Sequence, residues 1–148
     1  MSVSAFFDEI SGGMSREEAF MALLLAAVWA DQKEDVREIQ EKRALERRTR
    51  TLSTLTPEQL VAMKDRLRPR LVADRFNHLV EDACSSLANE KPDVRLSIFA
   101  HCVDIVFSDR RLDKMEKSFL TDLTARLKID DQDATNILKA LKEKNVLR

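Results

Sequence analysis

The stretch that decides the fold is Ala19 to Ala30, AFMALLLAAVWA, followed at once by Asp31. It carries no charge, no proline and no glycine, so it suits a helix that is apolar on every side and lies at the centre of a bundle. At this length it falls far short of the roughly 20 apolar residues a membrane span needs. Just upstream, Ser15 and Glu18 have the spacing of a capping box, which opens the helix.

The residues after this run set up a repeat. Asp31, Asp35 and Glu38 read D-x3-D-x2-E, and so do Asp109, Asp113 and Glu116. Each set follows an apolar stretch, Phe20 to Ala30 or Ile98 to Phe107, and each precedes a charged amphipathic segment. Two helix-acid loop-helix units are therefore expected.

Composition agrees with an all-α fold. The chain has 148 residues, 44% of them hydrophobic and 34% charged, which fits one folded domain rather than a disordered segment. Two glycines and three prolines leave few breakers, and Leu, Ala, Glu, Lys and Arg outnumber the strand-favouring Val and Ile. We expect a single-domain bundle of about seven helices over residues 15–148, preceded by a tail over residues 1–14. Cys84 and Cys102 lack metal-type or redox-type spacing, and no basic region precedes an apolar core at the amino terminus. A reducing, cytoplasmic setting without membrane insertion is the expectation.

Periodicity places the remaining helices. The second is expected from near Asp35 to about Leu52, with Glu38 and Glu41 in its early turns and Arg47, Arg48 and Arg50 in its last, matching the helix dipole. Thr56 and Pro57 open a short third helix, ended by Pro69. From Arg70 to Leu87, the apolar positions Val72, Phe76, Leu79, Val80, Ala83 and Leu87 predict a fourth, with Arg75, His78, Glu81 and Asp82 on its far side. A turn at Asn89 to Asp93 leads to a fifth that ends near Phe107. The sixth runs from about Asp113 to Leu127 with Met115, Phe119, Leu123 and Leu127 inward, and Asp130 or Asp131 caps the last, which carries Ala134, Ile137, Leu138 and Leu141.

The carboxylates divide by helix position. Asp35 with Glu38, and Asp113 with Glu116, have N-cap and capping-box spacing, which needs no ligand. Asp31 and Asp109 instead sit where an apolar helix ends, and there a carboxylate opposes the negative end of the dipole. A turn hydrogen bond or a cation would offset that cost. Asp31, Asp35, Asp109 and Asp113 are therefore the candidate metal ligands, ahead of Glu38 and Glu116, and oxygen donors favour calcium or magnesium. The spacing is not that of an EF-hand: counted from Asp31, the third and twelfth residues are Lys33 and Lys42, and counted from Asp109 they are Arg111 and Leu120.

The second unit also carries a family resemblance. His101 through Phe107-Ser108-Asp109-Arg110-Arg111-Leu112-Asp113-Lys114-Met115-Glu116 to Leu127-Lys128-Ile129-Asp130 resembles the TerB-like family of tellurite-resistance proteins. That family repeats an apolar helix, an Asp-Gly loop, a hydrophobic residue and a Glu seven positions after the Asp. Asp31 and Glu38 keep the interval, as do Asp109 and Glu116. Gln32 and Arg110 replace the family's Gly, and Glu34 stands where the second unit has Leu112. The resemblance extends from about Ala19 to Leu141. It implies an all-helical cytoplasmic protein of the stress response, with acidic loops associated with metal binding and no established catalytic centre.

Four further groups of residues point elsewhere. Ser97, His101, Asp104 and Ser108 form one polar stripe on the apolar fifth helix, read first as a solvent-facing seam and second as a His101/Asp104 site of a metal-dependent enzyme. His78 and Glu81 have the reverse order of the Glu-x-x-His pairs of di-iron bundles. Residues 43–75 hold nine basic side chains (Arg43, Arg47, Arg48, Arg50, Lys64, Arg66, Arg68, Arg70, Arg75) against four acids, so the middle carries +5 and the rest −6. This region offers a second binding surface, for an acidic partner or a nucleic acid. The lack of aromatic residues for base stacking argues against nucleic acid. Phe6 and Phe7 are costly to leave in water and favour docking on this core or on a second copy, as in a homo-oligomer. The leading expectation is a non-enzymatic module that works through a protein partner.

Overall fold

The structure, a computed structural model, describes residues 14–30, 52–72, 74–107 and 112–145. Among them are six α-helices and no strand: α1 (Arg16–Trp29), α2 (Pro57–Leu67), α3 (Phe76–Leu87), α4 (Pro92–Val106), α5 (Lys114–Arg126) and α6 (Asp131–Lys144). Single 3-10 turns occur at Leu52–Thr54 and Arg68–Leu71. These six correspond to six of the about seven helices expected. The helix expected from Asp35 lies outside the described residues up to Leu52, which opens the first 3-10 turn.

The apolar run forms α1, and its surroundings follow from its chemistry. Ser15 Oγ accepts the Glu18 N–H at 3.1 Å, and every residue from Ala19 to Val28 is buried. A helix with no polar face must be covered on all sides, so α1 packs chiefly against α3 and α4 and also meets α2. Ala22, Ala26 and Ala27 keep its surface low, which favours close neighbours. The Cys102 thiol of α4 approaches near enough to donate to the Leu23 carbonyl at 3.6 Å.

Long-range contacts give the helix directions. Arg16 at the start of α1 pairs with Glu90, just before α4, at 3.6 Å, and Phe20 and Leu23 meet His101 and Cys102 farther along both helices. Helices α1 and α4 therefore run in the same sense, with α3 antiparallel to both. Arg95, near the start of α4, donates to the carbonyls of Leu127 and Lys128 at 2.7 and 3.1 Å, so α5 runs back along α4. Lys144 reaches Asp104, so α6 runs parallel to α4.

Helix ends are closed by local chemistry. Thr56 and Gln59 exchange both capping-box bonds at 3.1 and 2.8 Å, with Pro57 at the first helical position. Asp130 caps α6 by accepting the N–H groups of Gln132 and Asp133. Helix α5 ends in a Schellman motif: the Ile129 N–H reaches the Thr124 carbonyl at 3.0 Å, and the Lys128 N–H reaches Ala125 at 3.2 Å. That geometry puts Lys128 at φ 55°, a left-handed position.

Two expectations need correction. The fourth predicted helix starts at Phe76, not Arg70, because the Arg68–Leu71 turn runs into Val72 in an extended conformation, ψ 154°. A β-branched residue favours that state after the proline-containing turn. Val72 is consequently 45% exposed. Met115 is 48% exposed rather than inward, since Glu116 leads the buried face of α5, followed by Phe119, Leu120 and Leu123.

Two substitutions test these features. Lys128→Gly removes the left-handed Cβ penalty and should raise the unfolding free energy by about 1 kcal/mol in urea titration. Leu25→Ala, within α1, should lower it by about 2 to 5 kcal/mol.

Candidate functional site

The parallel sense of α1, α4 and α6 puts their C-terminal ends at one end of the bundle. The chain leaves α1 at Ala30 and α4 at Phe107 there, and α5 starts there after its cap Asp113. The residues that follow α1 and α4 include the two leading acids, Asp31 and Asp109. Asp31, Asp35, Glu38 and Asp109 themselves lie outside the described residues. What the structure brings together is the point of departure of both acid-bearing segments.

Asp113 and Glu116 are described, and they form a complete capping box. Asp113 Oδ1 accepts the Glu116 N–H at 2.8 Å, and Glu116 Oε1 accepts the Asp113 N–H at 3.1 Å. The Glu116 residue is only 1% exposed, and its position at the start of α5 places a carboxylate against the positive end of the helix dipole. Asp113 is exposed and turns one oxygen to the cap. Among the described residues no cluster of three His, Cys, Asp or Glu side chains could hold a metal ion.

His101 and Asp104 do not form the plain solvent-facing seam. The His101 ring is half-buried, edge-on to Phe20 with centroids 5.7 Å apart. Burial holds its pKa below the ordinary histidine value, opposed by Asp104 and reinforced by Lys144. Asp104 Oδ1 accepts from Lys144 Nζ at 2.8 Å and from Asn145 Nδ2 at 3.4 Å. An ammonium on this carboxylate disfavours a metal there. Sequence spacing could not reveal Lys144 and Asn145 as its partners, because some 40 residues separate them from Asp104. The only local signal was Asn145 just beyond the helix, a residue type that suits helix ends.

Internal pairing also occupies His78 and part of the basic middle region. His78 faces Arg70 and Asp82, not Glu81: its Nδ1 lies 3.2 Å from the Arg70 guanidinium and 3.5 Å from the Asp82 carboxylate. Arg70 also pairs directly with Asp82, and Arg66 lies 3.6 Å from Glu18. Some of the positive charge between residues 43 and 75 is thus neutralised within the fold. Arg43, Arg47, Arg48 and Arg50 lie outside the described residues. Burial pushes the Cys84 thiol up to about 12 and raises that of Cys102 as well, so neither is a nucleophile at neutral pH.

If capping is what Asp113 and Glu116 contribute to folding, the effect should follow the acceptor atom rather than the charge. Asp113→Ala should cost about 1 kcal/mol in denaturant titration. Glu116→Gln, which keeps an acceptor oxygen of the same shape, should stay within about 1 kcal/mol of the parent chain.

None of the described helices is long and apolar enough to cross a membrane. No curated protein and no solved structure matches the chain. The family model for the tellurite resistance protein TerB, however, matches residues 17–139, a span that takes in α1 and the acid segments and reaches into α6. With that match over most of its length, and an all-helical fold built around two apolar helices that each lead into an acid segment, the chain belongs to the TerB family.

Proposed function

We propose that this chain is a non-enzymatic binding module of the tellurite-resistance and stress-response type, working in the cytoplasm through a protein partner. In this reading a divalent cation, calcium or magnesium, is held by Asp31 and Asp109 with help from Asp35 and Asp113. Its binding orders the segments after α1 and α4 and so changes the surface offered to the partner.

The observation that carries the reading is the common end of the bundle at which α1 and α4 terminate. Two carboxylates that each oppose the negative end of a helix dipole repel one another when those ends are neighbours. A bound cation offsets both penalties at once. Asp113 starts α5 at the same end and has a second oxygen beyond the one used in its cap. Lys33, Arg110 and Arg111 work against the ion, so moderate affinity is expected.

Calorimetric titration of the full chain with calcium, magnesium, manganese and zinc tests this directly. Saturable heat with calcium or magnesium, weakened at least about tenfold by Asp109→Asn, is the expected result. Heat absent for all four ions would remove the cation from the proposal and leave a module that works by protein contact alone.

A further inference from the structure

Helix α6 buries the fewest residues of the described helices. It packs chiefly against α4. Of its apolar stripe only Ala134 is buried, while Ile137, Leu138 and Leu141 are half-buried. An element with so little buried apolar surface opens locally at low cost, which makes any polar closure at its end important.

That closure lies at the C-terminal end of α6. Asp104 of α4 accepts from Lys144 Nζ at 2.8 Å and Asn145 Nδ2 at 3.4 Å, while the same Nδ2 donates to the Leu141 carbonyl at 2.7 Å. The Asn145 amide is buried, and its Oδ1 has no hydrogen-bond partner among the described residues. Exchanging the amide's N and O would place the oxygen against a carbonyl and a carboxylate, so the orphan acceptor is not removed that way. Docking thus carries a desolvation cost that water would relieve on release.

One turn before Asp104 on the same helix is His101, half-buried against Phe20. Among the described residues, the charged groups that act on it are Asp104 from its own helix and Lys144 from α6. Helix α1 presents the Phe20 ring, and α5 presents no charge that acts on it. We propose that α6 is a proton-released clasp: a proton on His101 sets an imidazolium in competition with Lys144 and Asn145 for Asp104, and the end of α6 lets go of α4.

The competition favours the histidine for a geometric reason. His101 and Asp104 are i, i+3 neighbours on one helix and can pair without ordering any further backbone. Lys144 must be held across two helices, and its side chain is 56% exposed. The imidazolium also repels the ammonium that shares its carboxylate. Because burial favours neutral His101 in the docked state, the clasp has its full strength above about pH 6.5 and weakens as pH falls from there through the lower pKa of docked His101. Most carboxylates titrate nearer pH 4, so the interval from pH 7 to 5 isolates the histidine.

Amide hydrogen exchange on the full chain reads the release. After correction for intrinsic exchange, opening of α6 should rise about tenfold between pH 7.5 and 5.2 while α1 stays protected. His101→Gln should flatten the pH response, and His78→Gln, which alters the other histidine, should leave it intact. Asp104→Asn should open α6 at both pH values. An α6 equally protected at both pH values, an α6 that opens only together with α1, or a pH response that survives His101→Gln would each overturn the proposal. Should a variant fail to fold, NMR titration of the parent chain decides: the Asn145 side-chain amide signals should shift with the same midpoint as the His101 ring, and independence of the two overturns the clasp.

Discussion

A helix with no polar face imposes its own surroundings. Exposing the Ala19–Val28 segment would leave ten apolar side chains in water, at about 25 cal/mol for each Å² of apolar surface, so the chain must supply cover on every side. Helices α3 and α4 provide most of that cover, and α2 contributes to it. The alanines of α1 admit close neighbours, and the apolar face of α4 is the counterpart surface. Helices α5 and α6 add to the layer already formed, with their amphipathic faces turned toward it.

The directions of these helices have a chemical consequence. Because α1 and α4 run in one sense, both apolar segments end on the same side, where each is followed in sequence by an acid. Within the interior the buried thiols are held in their neutral form. Asp113 and Glu116 are instructive here, since one pair of carboxylates starts α5, turns Glu116 into the bundle and still leaves Asp113 at the surface. At such a position capping uses one carboxylate oxygen and not the other.

The polar exceptions divide into two kinds. Arg95 closes the C-terminal end of α5 by donating to the Leu127 and Lys128 carbonyls just beyond it and also holds the Glu90 carbonyl, so one guanidinium ties the start of α4 to the end of α5. These bonds hold it in a fixed geometry. The Asp104, Lys144 and Asn145 group is less complete, with one carboxylate oxygen serving two donors and one amide oxygen left over. A partly satisfied network of this sort holds an element in place without committing it there.

Much of the architecture was legible from residue order. The apolar run implied a central helix, and Ser15, Thr56, Asp113 and Asp130 marked helix starts, because capping is a local interaction within a few residues. Local reasoning erred at Val72 and Met115, where helical spacing pointed inward but an extended residue and a capping glutamate decided the outcome. The acid repeat likewise named the residues of interest without placing them. That α1 and α4 finish at one end, that Asp104 meets Lys144 and Asn145, and that His101 meets Phe20 were decisions of tertiary structure. Hydrophobic period and capping act over one or two turns and can be read along the chain, whereas the direction of one helix against another depends on packing between residues some 80 positions apart.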